Sequence, residues 1–197
     1  MKNIITISRE FGSGGRTIGK MVAQKLGYDF YDSEIVNKVA ERSGFAPAFI
    51  EECGEYASAK SSLLFAIVTA NQYSAGGMAM QDKLYLEQAN IIHEIAEKGN
   101  CVIVGRCADF ILRERKDCLN VFICADMESR ARRIVERYGH KDKSPEKRLA
   151  EKDQKRKVYY KNYTGRPWGQ AQNYALCLNS GILGLETCVD MIVRAAK

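Results

Sequence analysis

The sequence predicts an α/β fold, a five-stranded parallel sheet with helices on both faces. Two observations carry that prediction. Five short runs rich in apolar residues (4–7, 28–31, 101–104, 119–124 and 175–178) alternate with stretches whose apolar residues recur every three or four positions. This is the pattern of buried parallel strands separated by amphipathic helices. The chain has 197 residues, 46% hydrophobic and 27% charged, which suits one globular domain with a sizeable core.

Taken in order, Ile4, Ile5 and Ile7 form the first strand, which runs into Gly12-Ser13-Gly14-Gly15-Arg16-Thr17. Glycines let backbone N–H groups come close to an anion. The helix that follows adds its free N-terminal donors and the positive end of its dipole, so the turn is expected to hold a phosphate. Against the template Gly, four free positions and Gly-Lys-Ser/Thr, Glu10 stands five positions before Gly15 and Arg16 replaces the lysine. Ile18, Met21, Val22 and Leu26 then stripe a helix that Gly27 ends. After the second strand, Asp32 or Ser33 is placed to cap a helix through Val36, Val39 and Ala40 that stops at Gly44.

From residue 45 to about 81 the alternation fails. Pro47 opens a short helix with Phe49, Ile50, Glu51 and Glu52, the apolar run 63–68 follows, and residues 73–80, with Gly76-Gly77, read as a loop. A long helix bearing Leu84, Ile91 and Ile95 ends at Gly99, and the third strand leads into Gly105-Arg106 and a short helix with Phe110, Ile111 and Leu112. The fourth strand is followed by Asp126 as a cap and a helix bearing Ile134 and Val135 up to Gly139. Ser144-Pro145 opens a basic helix without a continuous apolar stripe, for which a peripheral position is expected. Leu185, Val189 and Ile192 mark the closing helix.

Ligands of parallel sheets bind at the carboxyl ends of strands, and those ends carry the glycine turn, Asp32, Gly105-Arg106 and Asp126. Arg106 at a sheet edge is suited to fork onto a phosphate. Arg130, Arg133 and Arg137 share one helix face. Charge is concentrated: residues 137–166 hold eleven Lys/Arg against four Asp/Glu, a local excess of +7 in a chain whose net charge is +6. Such a run suits either a solvated face or a polyanionic ligand. A dinucleotide fingerprint competes for the glycine turn, since Asp32 lies 20 residues after Gly12, but Thr17 occupies its third glycine position.

Seven cysteines with no C-x-x-C pair, and two histidines, argue for small core residues rather than a metal site or disulfides. No apolar run approaches the ~20 residues of a membrane span, and the start has no apolar signal stretch. A cytoplasmic protein without membrane association is expected. A nucleic-acid role for the basic segment with Tyr159, Tyr160, Tyr163 and Trp168 is disfavoured for want of a recognised RNA module. The run 63–68 suits a homo-oligomer interface as well as a core.

On these residues the chain resembles the cytidylate kinase-like family of P-loop nucleoside monophosphate kinases. Gly12, Ser13, Gly14, Gly15, Arg16 and Thr17 stand at its phosphate loop, and Lys25 to Asp32 (KLGYDFYD) is similar to its passage from first helix to second strand. Lys38 falls where the family has an arginine near the acceptor phosphate. Gly105-Arg106 resembles the pair that grips the monophosphate, Arg130 and Arg133 the arginines entering the lid, and Lys152-Asp153-Gln154-Lys155-Arg156 the lid's basic cluster.

The resemblance implies a three-layer P-loop kinase fold with a helical acceptor-binding excursion at about 45–84 and a basic lid at about 137–168. It implies ATP and Mg²⁺ as cofactors and nucleotides as partners. It assigns Arg16, Arg106, Lys152 and Arg156 to catalysis, the loop with Arg130 and Arg133 to ATP, and Asp32, Lys38, Arg106 and Asp153 to the acceptor, CMP or dCMP. Two departures stand out: without gaps, Gly15 takes the place of the family's lysine and Arg16 that of the next residue, and Val104 stands in place of an aspartate before Gly-Arg. Arg16 is then the expected replacement cation and Thr17 the expected Mg²⁺ contact. A nucleotide-binding regulatory protein without efficient transfer, or a kinase of another small hydroxyl or phosphate acceptor, is the alternative.

Overall fold

The six residues Ile4–Arg9 are buried throughout, as a strand covered on both faces requires, and the sheet is built outward from them. The computed structural model describes residues 2–53 and 80–197. In chain order these form β1 (Ile4–Arg9), α1 (Gly15–Leu26), β2 (Asp29–Tyr31), α2 (Ser33–Ser43), α3 (Pro47–Cys53), α4 (Met80–Lys98), β3 (Cys101–Val104) and α5 (Ala108–Ile111). They continue with β4 (Cys118–Cys124), α6 (Met127–Tyr138), α7 (Pro145–Thr164), a 3₁₀ turn (Ala171–Asn173), β5 (Leu176–Asn179), α8 (Ser180–Leu183) and α9 (Leu185–Ala196).

Among the described residues the five strands are parallel and lie in the order β2-β3-β1-β4-β5, with Ile4 in register with Cys101 on one side and Cys118 on the other. A dinucleotide-binding sheet puts its second strand beside its first. Here β3 intervenes, so the competing fingerprint reading of the glycine turn loses its structural frame.

Alternate residues of each strand point to opposite faces. Ile4, Cys101 and Ile103 pack under α2, α4, α5 and the end of α7. Ile5, Ile7, Val102, Val104, Val121 and Ile123 pack under α1 and α9. The helices stop where glycine can turn left-handed: Gly27 (φ 68°), Gly44 (φ 73°) and Gly165 (φ 69°) follow α1, α2 and α7. Asp126 caps α6 by accepting the Ser129 N–H at 2.8 Å, and Ser144 caps α7 with Pro145 in its first turn. Burial pushes the Cys101 thiol up to about 11 and the Cys118 thiol to about 12, so both behave as core groups.

The basic helix is not peripheral: Leu149, Asp153, Arg156, Tyr159 and Tyr160 of α7 are buried. No apolar stripe announced this because two of the buried side chains are charged and find partners under the glycine loop. The expected acceptor excursion begins as α3, but residues 54–79, with the apolar run 63–68 and most of the loop 73–80, lie outside the described residues.

Close packing of α1 on the sheet depends on Gly19, where a Cβ would meet Val104 Cγ2 at 3.0 Å and Ile7 Cδ1 at 3.2 Å. Gly19→Val is expected to cost about 1–3 kcal/mol by overpacking. Urea unfolding checks this; an unchanged midpoint would mean that α1 sits less tightly than described.

Candidate functional site

The glycine loop leaves β1 at Arg9 and enters α1 at Gly15. Gly12 (φ 82°) and Gly14 (φ 81°) adopt the left-handed conformation that other residues avoid. A Cβ at Gly14 would stand 2.7 Å from Leu185 Cδ2. Beneath the loop, Ser13 is fully buried, and the Ser180 hydroxyl donates to Ser13 O at 2.5 Å and to Cys124 O at 3.2 Å. The first turn of α1 carries no acidic residue, so the positive end of its dipole faces the loop unopposed.

Two charged side chains of α7 hold the loop from its other side. Asp153 Oδ1 accepts the Phe11 N–H at 2.8 Å, while its Oδ2 pairs with Arg130 Nη1 at 2.5 Å. Arg130 also donates to Phe11 O at 3.3 Å, and Arg156 Nη1 donates to Arg9 O at 3.0 Å. On β4's side, Glu10 Oε2 accepts the Ala125 N–H at 3.1 Å.

Above the loop lies a cleft of about 220 Å³ at the carboxyl ends of β1, β2 and β3. Six arginines line it (Arg9, Arg16, Arg106, Arg133, Arg137 and Arg156), against two carboxylates, Glu10 and Asp32. Arg9, Arg106 and Arg156 are buried. Guanidiniums at low dielectric interact with an anion more strongly than exposed ones do, so the lining is chemically suited to a compact polyanion.

Of the residues expected from sequence, Gly12, Gly14, Gly15, Arg16, Thr17, Asp32, Arg106, Arg133 and Arg156 line this cleft. Arg130 and Asp153 lie under the loop and shape it. Lys38 is on the exposed side of α2, where its charge helps hold the Glu94 carboxyl below its ordinary range, after the larger effect of Arg42. Lys152 is half-buried on α7 and outside the lining. Arg16 turns its Nε onto Asp32 Oδ2 at 2.6 Å with its side chain 56% exposed. The Asp32 carboxylate therefore serves arginines and makes no cap bond to α2. Arg137 donates to the Thr17 hydroxyl at 3.3 Å.

Three features escaped the sequence. Arg9 is a charged end to an apolar strand. Gly105 (φ 77°), Arg106 (φ 60°) and Cys107 (φ 55°) form a left-handed run, which costs of order 1–3 kcal/mol at each non-glycine position. Buried Gln88 helps hold it, donating to Arg106 O at 3.1 Å and to the Tyr159 hydroxyl at 3.3 Å. The third is Asp109, a buried carboxylate that accepts from Ser8 Oγ at 3.2 Å and from the Tyr160 hydroxyl at 2.6 Å. It joins β1, α5 and α7.

Burial raises the Asp109 carboxyl above its ordinary pKa, and the bonds from Tyr160 and Ser8 offset this in part. The folded chain thus keeps this proton to higher pH than the unfolded chain, so the group's contribution to stability is full below about pH 4 and is lost as pH rises through the folded value. The melting-temperature difference between wild type and Asp109→Asn is expected to shift in favour of the variant as pH rises from 4 to 7. Parallel melting profiles would contradict the raised pKa.

With this geometry in hand, three comparisons bear on the chain. It matches the cytidylate kinase-like family over residues 4–182. It is 31% identical to a cytidylate kinase of Archaeoglobus fulgidus, covering 98% of this chain and 94% of that one, and 26% identical to a cytidylate kinase of Pyrococcus horikoshii, covering 99% and 88%. Among solved structures, an uncharacterized protein from Eubacterium ventriosum superposes with a TM-score of 0.73 at 27% identity, covering 98% of this chain and 97% of that one. A shikimate kinase from Bacteroides thetaiotaomicron, at 19% identity and a TM-score of 0.54 over 98% and 96% of the two chains, shares the fold. The sheet order, the glycine loop at the end of its central strand and the match over most of the sequence agree: this is a P-loop kinase fold, and the chain belongs to the cytidylate kinase-like family.

Proposed function

We propose that the protein transfers the γ-phosphoryl group of ATP to a nucleoside monophosphate, with CMP or dCMP as the acceptor. The observation that carries this reading is the arginine-lined cleft directly above a glycine loop and an unopposed helix N-terminus, in a chain of this family. The loop amides and the start of α1 bind the donor phosphates. Arg106, fixed through its own carbonyl by Gln88, forks onto the acceptor phosphate. Arg133, Arg137 and Arg156 surround the group in transit and neutralise the charge it spreads over its oxygens.

Phosphoryl transfer asks little covalent help of the protein, so alignment and charge neutralisation suffice and no single general base is required. Mg²⁺, arriving with ATP, would supply further positive charge at the transferring group. No cluster of three His, Cys, Asp or Glu occurs among the described residues, which fits an ion held chiefly by phosphates and water. The Thr17 hydroxyl, in the cleft lining, is the protein oxygen suited to touch it. In this reading residues 45–84 cover the acceptor, and α7, within the expected lid 137–168, shields one side of the cleft from water and brings Arg156 to it, while Lys152 stays outside the lining.

The test is ADP formation with a panel of CMP, dCMP, UMP, AMP and small hydroxyl acceptors, run beside a nucleotide-binding titration. Saturable, acceptor-dependent ADP release with CMP or dCMP is expected. ATP binding without acceptor-dependent release would replace the kinase reading with that of a nucleotide-binding regulatory protein. Salt-steep affinity for oligonucleotides without mononucleotide binding would overturn both.

A further inference from the structure

We propose that Arg9 performs the task of the P-loop lysine, through a reciprocal exchange of side chains between positions 9 and 15. The inference rests on the nucleotide-binding reading above and adds a residue to it.

The template Gly-x₄-Gly-Lys-Ser/Thr can be laid on this loop in two registers. If Gly15-Arg16-Thr17 is Gly-Lys-Thr, the first glycine falls on Glu10 and the cation is Arg16. If Gly14-Gly15 is Gly-Lys, the first glycine falls on Arg9, the lysine's position is empty of a side chain, and Arg16 takes the hydroxyl residue's place with Thr17 one residue further on. Geometry favours the second register. β1 ends at Arg9, and α1 begins at Gly15 with Gly14 as its left-handed cap.

A Cβ built on Gly15 would stand 2.5 Å from Arg9 Cβ and 3.0 Å from Arg9 Cγ. These atoms sit at the root of the side chain, so no rotamer change relieves the clash. Positions 9 and 15 therefore cannot both carry side chains. The template solves this with glycine on the strand and lysine on the helix; this chain solves it with arginine on the strand and glycine on the helix. One cation is retained, and its stem starts from the opposite side of the same contact.

The two candidate cations differ in what they can reach. Arg16 leans outward, 56% exposed, with its Nε already 2.6 Å from Asp32. The Arg9 side chain is 9% exposed, lines the cleft, and meets Asp32 Oδ1 at 4.0 Å. Its backbone is fixed by the Arg156 bond to its carbonyl at 3.0 Å. A planar guanidinium held at the end of the central strand presents a two-pronged donor to the β- and γ-phosphates, where a lysine would present a point charge.

The experiment measures ATP and CMP affinity by calorimetry for wild type, Arg9→Gln, Arg16→Gln, Arg9→Gly and the exchange variant R9G/G15K, with a thermal melt for each. Arg9→Gln keeps the stem and loses the charge, and is expected to weaken ATP by about ten- to hundredfold, the effect of a charged hydrogen bond, while CMP affinity holds within about threefold. Arg16→Gln is expected to lose less, and the exchange variant to bind ATP more tightly than Arg9→Gly alone. Arg9→Gln with wild-type ATP affinity, or a larger loss in Arg16→Gln, overturns the assignment whether or not the exchange variant folds. Wild type that binds no ATP removes instead the nucleotide reading on which the assignment rests.

Discussion

Asp153 brings three segments to one point: it accepts the Phe11 N–H, pairs with Arg130 of α6, and belongs to α7. Arg130 and Asp153 are both buried, so the pair gains from the low dielectric and each partner needs the other. Removing one member of such a pair costs about 3–5 kcal/mol in known cases. What it secures here is the position of the loop between β1 and α1 relative to the two helices that bring arginines over it. The rest of the cleft depends on that attachment.

Around this point the protein collects positive charge from separate elements. Arg9 comes from the end of β1, Arg106 from a left-handed turn after β3, Arg133 and Arg137 from α6, and Arg156 from α7. Like charges gathered this way repel one another, and the fold bears the cost through two backbone anchors, Arg156 on Arg9 O and Gln88 on Arg106 O, with the side-chain bond from Tyr160 to Asp109 behind them. Such preorganisation is useful when a ligand brings several negative charges, because the donors need not reorganise as charge develops. A phosphoryl group passing between two nucleotides is a ligand of that kind.

The strands and most helices were legible in the sequence because each carries its own period and its own stop, as Gly27, Gly44 and Gly139 show. The glycine loop, Asp32 and Arg106 were legible because chemistry at a strand's carboxyl end stands out against apolar neighbours. α7 was misjudged: its buried stripe includes Asp153 and Arg156, and a pattern of apolar residues cannot register burial that is satisfied by ion pairs. Arg9 and Asp109 were missed for a related reason, since each looks like a stray charge until the partner across the fold, Gly15 or Tyr160, is known. Lys38 shows the converse, a cation in a suggestive position whose helix face turns it to solvent.

The most direct measurement is a crystal structure of the protein with a non-hydrolysable ATP analogue. The account predicts the β- and γ-phosphates above Gly12–Gly15, with the Arg9 guanidinium within about 3 Å of a phosphate oxygen and Arg16 still on Asp32. A triphosphate bound with Arg9 turned away, or bound outside this cleft, would contradict it.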